Sequence, residues 1–261
     1  MFTSLTFAFT YMNFTDLRSM LKILPCAFLT FVCLGCQTME TVESTKIPQS
    51  EIRQTYVVTA TREQTNVAAY FNRGSWGKSV DLDAPSKIED NGGELAQSSL
   101  TFLTGTTYGK NLAGLQTAHR FVYTNNDGKV FRNELSFEPL DLPAGEIVVK
   151  RSQETVIRLS RRVGKDEKIS ISLNSSQKRA DSDNPNAAPN NSEEYELSLN
   201  NELDENRSVI VLKPKNLKKF VGGKAVLSVE TSRELPLQEQ TQAGGTMRWS
   251  YTSTVNASVT N

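Results

Sequence analysis

The sequence is poor in the residues that most often carry chemistry. Its 261 residues hold one histidine, His119, and three cysteines, all before residue 37. A single histidine excludes a multi-histidine metal site. Cysteines confined to the start exclude a disulfide-stapled body and a Cys-ligated zinc site in the rest of the chain. Basic and acidic side chains number 29 each, so the formal net charge is zero. That balance excludes the basic excess of a nucleic-acid binder. Helical periodicity is nearly absent too. Its best instance is one turn over Pro214–Phe220, with Leu217 and Phe220 three residues apart and turned inward. No cofactor or catalytic motif stands out, a Gly-x-Ser-x-Gly elbow included; no cofactor, no metal and no enzymatic activity are expected.

What is present begins with an export signal. Lys22 supplies a short positive region, Ile23–Leu34 an apolar run too short to cross a bilayer comfortably, and small Gly35 precedes Cys36. The order Cys33-Leu34-Gly35-Cys36 resembles the lipobox of bacterial envelope lipoproteins, with Leu34 displaced by one position from where that motif places its leucine. The resemblance implies cleavage before Cys36, lipidation of its thiol with palmitate or a similar acyl chain, and anchoring to a membrane. Gln37 in place of aspartate after the lipid site implies the outer membrane of a Gram-negative envelope. Residues 1–19 sit awkwardly before this signal, and Met20 is the better start. Residues 1–35 are therefore read as an upstream extension plus signal peptide. Residues 36–54, rich in Thr, Ser, Glu and Gln, are expected to be a lipidated flexible tether.

From Thr55 onward the pattern is alternation. Phe131, Leu135 and Phe137 oppose Arg132, Glu134 and Ser136; Ile169, Ile171 and Leu173 oppose Ser170 and Ser172. The last run is the longest, with Met247, Trp249, Tyr251, Val255, Ala257 and Val259 on one face and Arg248 followed by hydroxyl or amide residues on the other. Period two marks strands with one buried and one wet face. Asn125-Asn126-Asp127-Gly128 predicts a hairpin, and other glycine pairs separate further runs. The apolar pattern pauses at Pro139–Gly145, which is taken as a boundary. The fold class expected is all-β, with two tandem antiparallel β-sandwich domains over 55–143 and 144–261. The glycine placement and strand order of the second half resemble the Ig-like or fibronectin-like modules of envelope lipoproteins. Residues 174–193 carry no apolar side chain larger than alanine and read as a mobile loop.

Several residues invite a functional reading. Trp76 lies among turn glycines, and an exposed indole with Tyr70 and Tyr108 as companions would form a sugar-stacking platform. His119 shares a strand face with Phe121 and Tyr123, the setting of a structural histidine. Asp181 and Asp183 offer oxygen ligands without the glycine and glutamate of an EF-hand loop. Lys213, Lys215, Lys218, Lys219 and Lys224 form a basic run that fits a solvated edge or an anionic surface. Asp81 and Asp83 are polar positions opposite Val80 and Leu82. The function expected is a non-catalytic, membrane-anchored spacer or protein-interaction module, with a carbohydrate-binding lipoprotein as the alternative. Its partners would be the membrane through the lipid, and an envelope protein or polysaccharide; nucleic acid is not among them.

Overall fold

The structure, a computed structural model, describes residues 41–75, 77–98, 105–175, 195–198, 203–204, 208–218, 220 and 222–261. The first half holds β1 (Thr41–Glu43), β2 (Ile52–Ala60), β3 (Gln64–Arg73), β4 (Ser79–Asp81) and β5 (Lys87–Asp90). The short β6 (Gly93–Glu94) and β7 (Ala96–Gln97) follow, then β8 (Thr107–Ala113), β9 (Ala118–Thr124) and β10 (Val130–Ser136). The second half holds β11 (Ile147–Lys150), β12 (Thr155–Arg158), β13 (Lys168–Ser175), β14 (Tyr195–Ser198), β15 (Leu203–Asp204) and β16 (Val209–Leu212). The one-turn helix α1 (Pro214–Leu217) precedes the long hairpin of β17 (Gly223–Pro236) and β18 (Gly245–Thr260). The protein is all-β, as the alternation predicts.

The strands form one large sheet and two small ones. The large sheet has 11 strands and runs β1-β4-β3-β2-β18-β17-β13-β14, with β8 and β7 beside β3 and β11 beside β18. The sheet β10-β9-β5-β6 packs on the first half, and β12-β16-β15 on the second. Pairing is antiparallel with three exceptions: β2 and β11 run parallel to β18, and β1 parallel to β4. Gly245 permits the first of these. A Cβ there would collide with the Gln54 carbonyl and the Leu237 side chain, so only glycine lets β18 start against β2.

Two hydrophobic cores lie along the large sheet. The first is built on Tyr56, Phe71, Phe121, Tyr123, Phe131 and Trp249; the second on Leu140, Ile171, Leu173, Ile210, Leu212, Leu227 and Val229. The closing hairpin belongs to both. Met247, Trp249 and Tyr251 enter the first core, Ala257 and Val259 the second. A division at residue 143 into independent units therefore misplaces residues 235–251, which complete the first core. Trp249 is buried as its alternation requires, but it stacks on Phe137 at 4.9 Å in the first core rather than supporting the second. The pause at Pro139–Gly145 is not a loose link either, since Leu140 and Leu142 are buried in the second core.

The tether also ends earlier than its composition suggests. Ile47 and Ile52 are buried and Val42 packs against the first core. Ser44 is fully buried and its hydroxyl accepts the Asp83 N–H at 2.9 Å. These apolar residues have no regular spacing, so no periodicity reveals them, yet residues 41–54 are docked. The expected loop at 174–193 begins inside β13 with Asn174 and Ser175; residues 176–194 lie outside those described. The hairpin at Asn125–Gly128 forms as its sequence requires, with the Asn125 side chain accepting the Lys129 N–H at 2.8 Å.

Candidate functional site

The three aromatic residues expected to share a platform do not share a face. Tyr70 pairs with Thr107 across β3 and β8, so the neighbouring Tyr108 points to the opposite side of the sheet. Tyr108 is buried; its hydroxyl donates to Asp81 Oδ1 and accepts the Leu82 N–H, both at 2.7 Å. Burial, reinforced by the Asp81 carboxylate, holds this hydroxyl above the usual phenol range. Tyr108 is therefore a core strut and is unavailable for stacking on a sugar. Tyr70 faces outward and is half-buried. Trp76 and Cys36 lie outside the described residues.

Around Tyr70 the outer sheet face carries mostly short side chains. Thr107, Tyr70, Thr55 and Thr246 form one cross-strand row; Gly109, Ala68, Val57 and Arg248 form the next. A Cβ on Gly109 would come within 2.8 Å of the Val67 carbonyl oxygen, which excludes a side chain there. Along β18 the same face continues as Ser250, Thr252, Thr254, Asn256, Ser258 and Thr260. One aromatic ring on a hydroxyl-lined face has the chemistry to stack on and hydrogen-bond a sugar.

His119 is the centre of a buried ionic cluster. Its Nδ1 lies 3.2 Å from both carboxylate oxygens of Asp90, and its Nε2 lies 3.2 Å from the Gln116 carbonyl oxygen. Lys110 reaches in from β8, with Nζ 2.6 Å from the Asp90 carbonyl oxygen and 3.2 Å from Oδ2. The Asp90 and His119 side chains are fully buried. The cluster joins β8 of the large sheet to β5 and β9 of the small one. Both ring nitrogens are occupied by these contacts, so the geometry is that of an inter-sheet clamp, as the strand setting of His119 suggests.

The remaining candidates divide simply. Asp83 accepts the Thr45 hydroxyl at 2.9 Å, and Asp81 also accepts from Gln97 at 3.1 Å, so both acids hold loops together. Lys213, Lys215, Lys218 and Lys224 are exposed around α1 and the start of β17, while Lys219 lies outside the described residues. Asp181 and Asp183 lie outside them as well. Among the described residues no cluster of three metal-ligating side chains occurs, and no helix is long and apolar enough to cross a membrane.

Between the two cores lies a cleft of about 440 Å³, lined by Arg62 and Glu63, by Leu142–Gly145 and by Thr252–Val255. Asp141 holds its walls. Its carboxylate bonds Arg62 Nε at 3.1 Å and Nη2 at 2.8 Å, and accepts the Tyr251 hydroxyl at 2.5 Å. Burial first, then this bond to Asp141, raises the Tyr251 hydroxyl above the phenol range. Ser253 is buried and accepts the Leu142 N–H at 3.1 Å. A serine on an otherwise apolar strand face, between Tyr251 and Val255, was the one sequence signal of this junction.

The chain matches no protein-family model and no curated protein.

Proposed function

We propose that the chain is a lipid-anchored, non-catalytic protein of the bacterial cell envelope that serves as a spacer and protein-interaction module.

The reading rests on one observation above the rest. β17 and β18 run through both cores, and β18 alone has 16 residues, roughly 50 Å at about 3.3 Å per residue. A hairpin shared by two cores gives a stiff body with a large outer sheet face, which suits a spacer that presents a surface. Each core is read as one Ig-like module, the pair sharing their last hairpin. Cys36 is the lipid-bearing residue and the outer membrane its destination. Palmitate labelling in a bacterial host tests the anchor: Cys36→Ser should abolish the label, and a normally labelled mutant would refute the assignment.

The outward Tyr70 supports a second reading, in which the outer face binds an envelope polysaccharide. Trp76 would be its companion, without Tyr108. A polysaccharide array separates the two readings. Loss of sugar binding in Tyr70→Ala favours the platform; full retention in both Tyr70→Ala and Trp76→Ala removes it.

A further inference from the structure

The row of strands beside β18 has a gap. β2 pairs in parallel with Gly245–Tyr251, and β11 pairs in parallel with Ala257–Thr260, so Thr252–Asn256 face no strand on that side. The direction of each backbone group follows from parity. The pairing with β17 is continuous over the whole hairpin. The Gly244 carbonyl accepts from Gln54 and the Thr260 carbonyl accepts from Arg151, both on the β2 and β11 side. Even-numbered residues of β18 therefore point their N–H and C=O into the gap, and odd-numbered ones toward β17. Thr252 C=O, Thr254 N–H and C=O, and Asn256 N–H have no backbone or side-chain partner among the described residues. The cleft between the cores opens on this stretch.

We propose that this gap is a strand-addition site, which takes an extended segment of a partner polypeptide running parallel to β18. The proposal rests on the protein-interaction reading above and names where on the molecule it operates. Four free backbone groups in this order match three consecutive residues of a parallel strand. The first residue donates to Thr252 C=O and accepts from Thr254 N–H; the third donates to Thr254 C=O and accepts from Asn256 N–H. The parallel direction continues that of β2 and β11, which end and begin at the two mouths of the gap. The entering end lies beside Arg62 and Glu63. Arg62 is neutralised by Asp141, whereas Glu63 has no ion-pair partner among the described residues. A basic residue preceding the paired triplet completes that charge.

The probe is an acetylated and amidated peptide, Lys-Val-Thr-Val-Thr, titrated into the purified full chain and followed by amide chemical shifts and hydrogen exchange. Binding at about millimolar Kd is expected, with slowed exchange at Thr254 and Asn256. The same peptide N-methylated at both valines loses the two donors, and should bind roughly tenfold more weakly or worse. Glu63→Lys should weaken the parent peptide several-fold. Thr254→Pro should abolish its binding, because that N–H points into the gap and the β17 ladder does not use it. Equal binding of the N-methylated peptide overturns the proposal, as does an unperturbed Thr252–Asn256 stretch. So does an Asn256 amide already protected in the free protein. A photo-crosslinking residue at Thr254 or at Thr59, in cells, separates this failure from that of the broader reading. Protein adducts at Thr59 alone sink the gap and leave the interaction module standing; adducts at neither position sink both.

Discussion

The two cores share a hairpin and differ in chemistry. The first is aromatic: Tyr56 stacks on Phe121 at 4.6 Å, Phe71 meets Tyr123 at 4.7 Å, and Phe137 covers Trp249 at 4.9 Å. The second is aliphatic, with Leu, Ile and Val around Phe220, the one buried ring among its described residues. Buried rings with hydroxyls need partners. Tyr56 donates to Gln54 at 2.8 Å, Tyr108 to Asp81 and Tyr251 to Asp141. The first core also contains the Asp90–His119 pair, whereas the buried residues described in the second carry no charge. Two cores on one sheet thus reach order by different routes. One depends on oriented rings and fixed hydrogen bonds, the other on branched aliphatic side chains whose packing has no polar requirement.

That contrast is broken most directly at the buried charges. Asp90→Ala leaves Lys110 and His119 facing each other without their carboxylate, and should cost about 3–5 kcal/mol. Trp249→Ala should cost a similar amount, about 3–5 kcal/mol, by opening a cavity beside Phe137. Residue-resolved hydrogen exchange checks both. Amides of β9 should lose protection before those of β13, and the reverse order would place Trp249 in the wrong core. Leu227→Ala is the mirror experiment, at about 2–5 kcal/mol, with β13 exposed first.

Alkali sharpens the comparison without any mutation. Burial pushes the Tyr123 hydroxyl up to about 12, from an ordinary value of 10.0, and holds Tyr56 well above the ordinary phenol value too. A raised phenol favours the neutral folded form. Its contribution is fully present below pH 10 and is lost as the pH rises toward about 12, at roughly 2–3 kcal/mol for Tyr123. The first core should therefore loosen in that window while the second holds, as exchange or near-ultraviolet absorbance would report. Simultaneous loss of both would mean that the shared hairpin couples them into one cooperative unit. The smallest effect is expected at the edge of β10. Glu239 accepts the Arg132 N–H at 2.6 Å, and Gln238 brackets Glu134 with bonds of 3.0 and 2.9 Å. These side chains occupy an edge that would otherwise invite another strand. Glu239→Ala should cost about 0.5–1.5 kcal/mol, measured by denaturant titration, with a greater tendency to aggregate.

Much of this was legible in the sequence, and the limit falls at sequence distance. The alternation of Val130–Ser136 and the Asn125–Gly128 turn are local, and both appear as expected. The inward face of β18 was largely readable: Met247, Trp249, Tyr251, Ala257 and Val259 are buried, Val255 is only partly so, and Ser253 is buried on the same face. Which core each enters was not. That depends on the parallel pairing with β2, where Gly245 meets Gln54 from 191 residues away and which leaves no local periodic trace. Tyr70 and Tyr108 were grouped by residue type, but the β3–β8 register decides their faces and separates them. The cleft was missed because its walls are a turn, a linker and the backbone of a strand, none with a side-chain motif. Only Ser253 marked it.

The shared hairpin also dictates an order of assembly. The first core is built mostly from residues before 140, yet it stays open on one side until Leu237, Met247, Trp249 and Tyr251 arrive. A chain emerging from its amino-terminal end cannot seal that core as it appears. β2 must wait for β18, with some 190 residues between them. Long-range pairing of this kind closes slowly, so the first half remains unsealed until the last strand has been delivered.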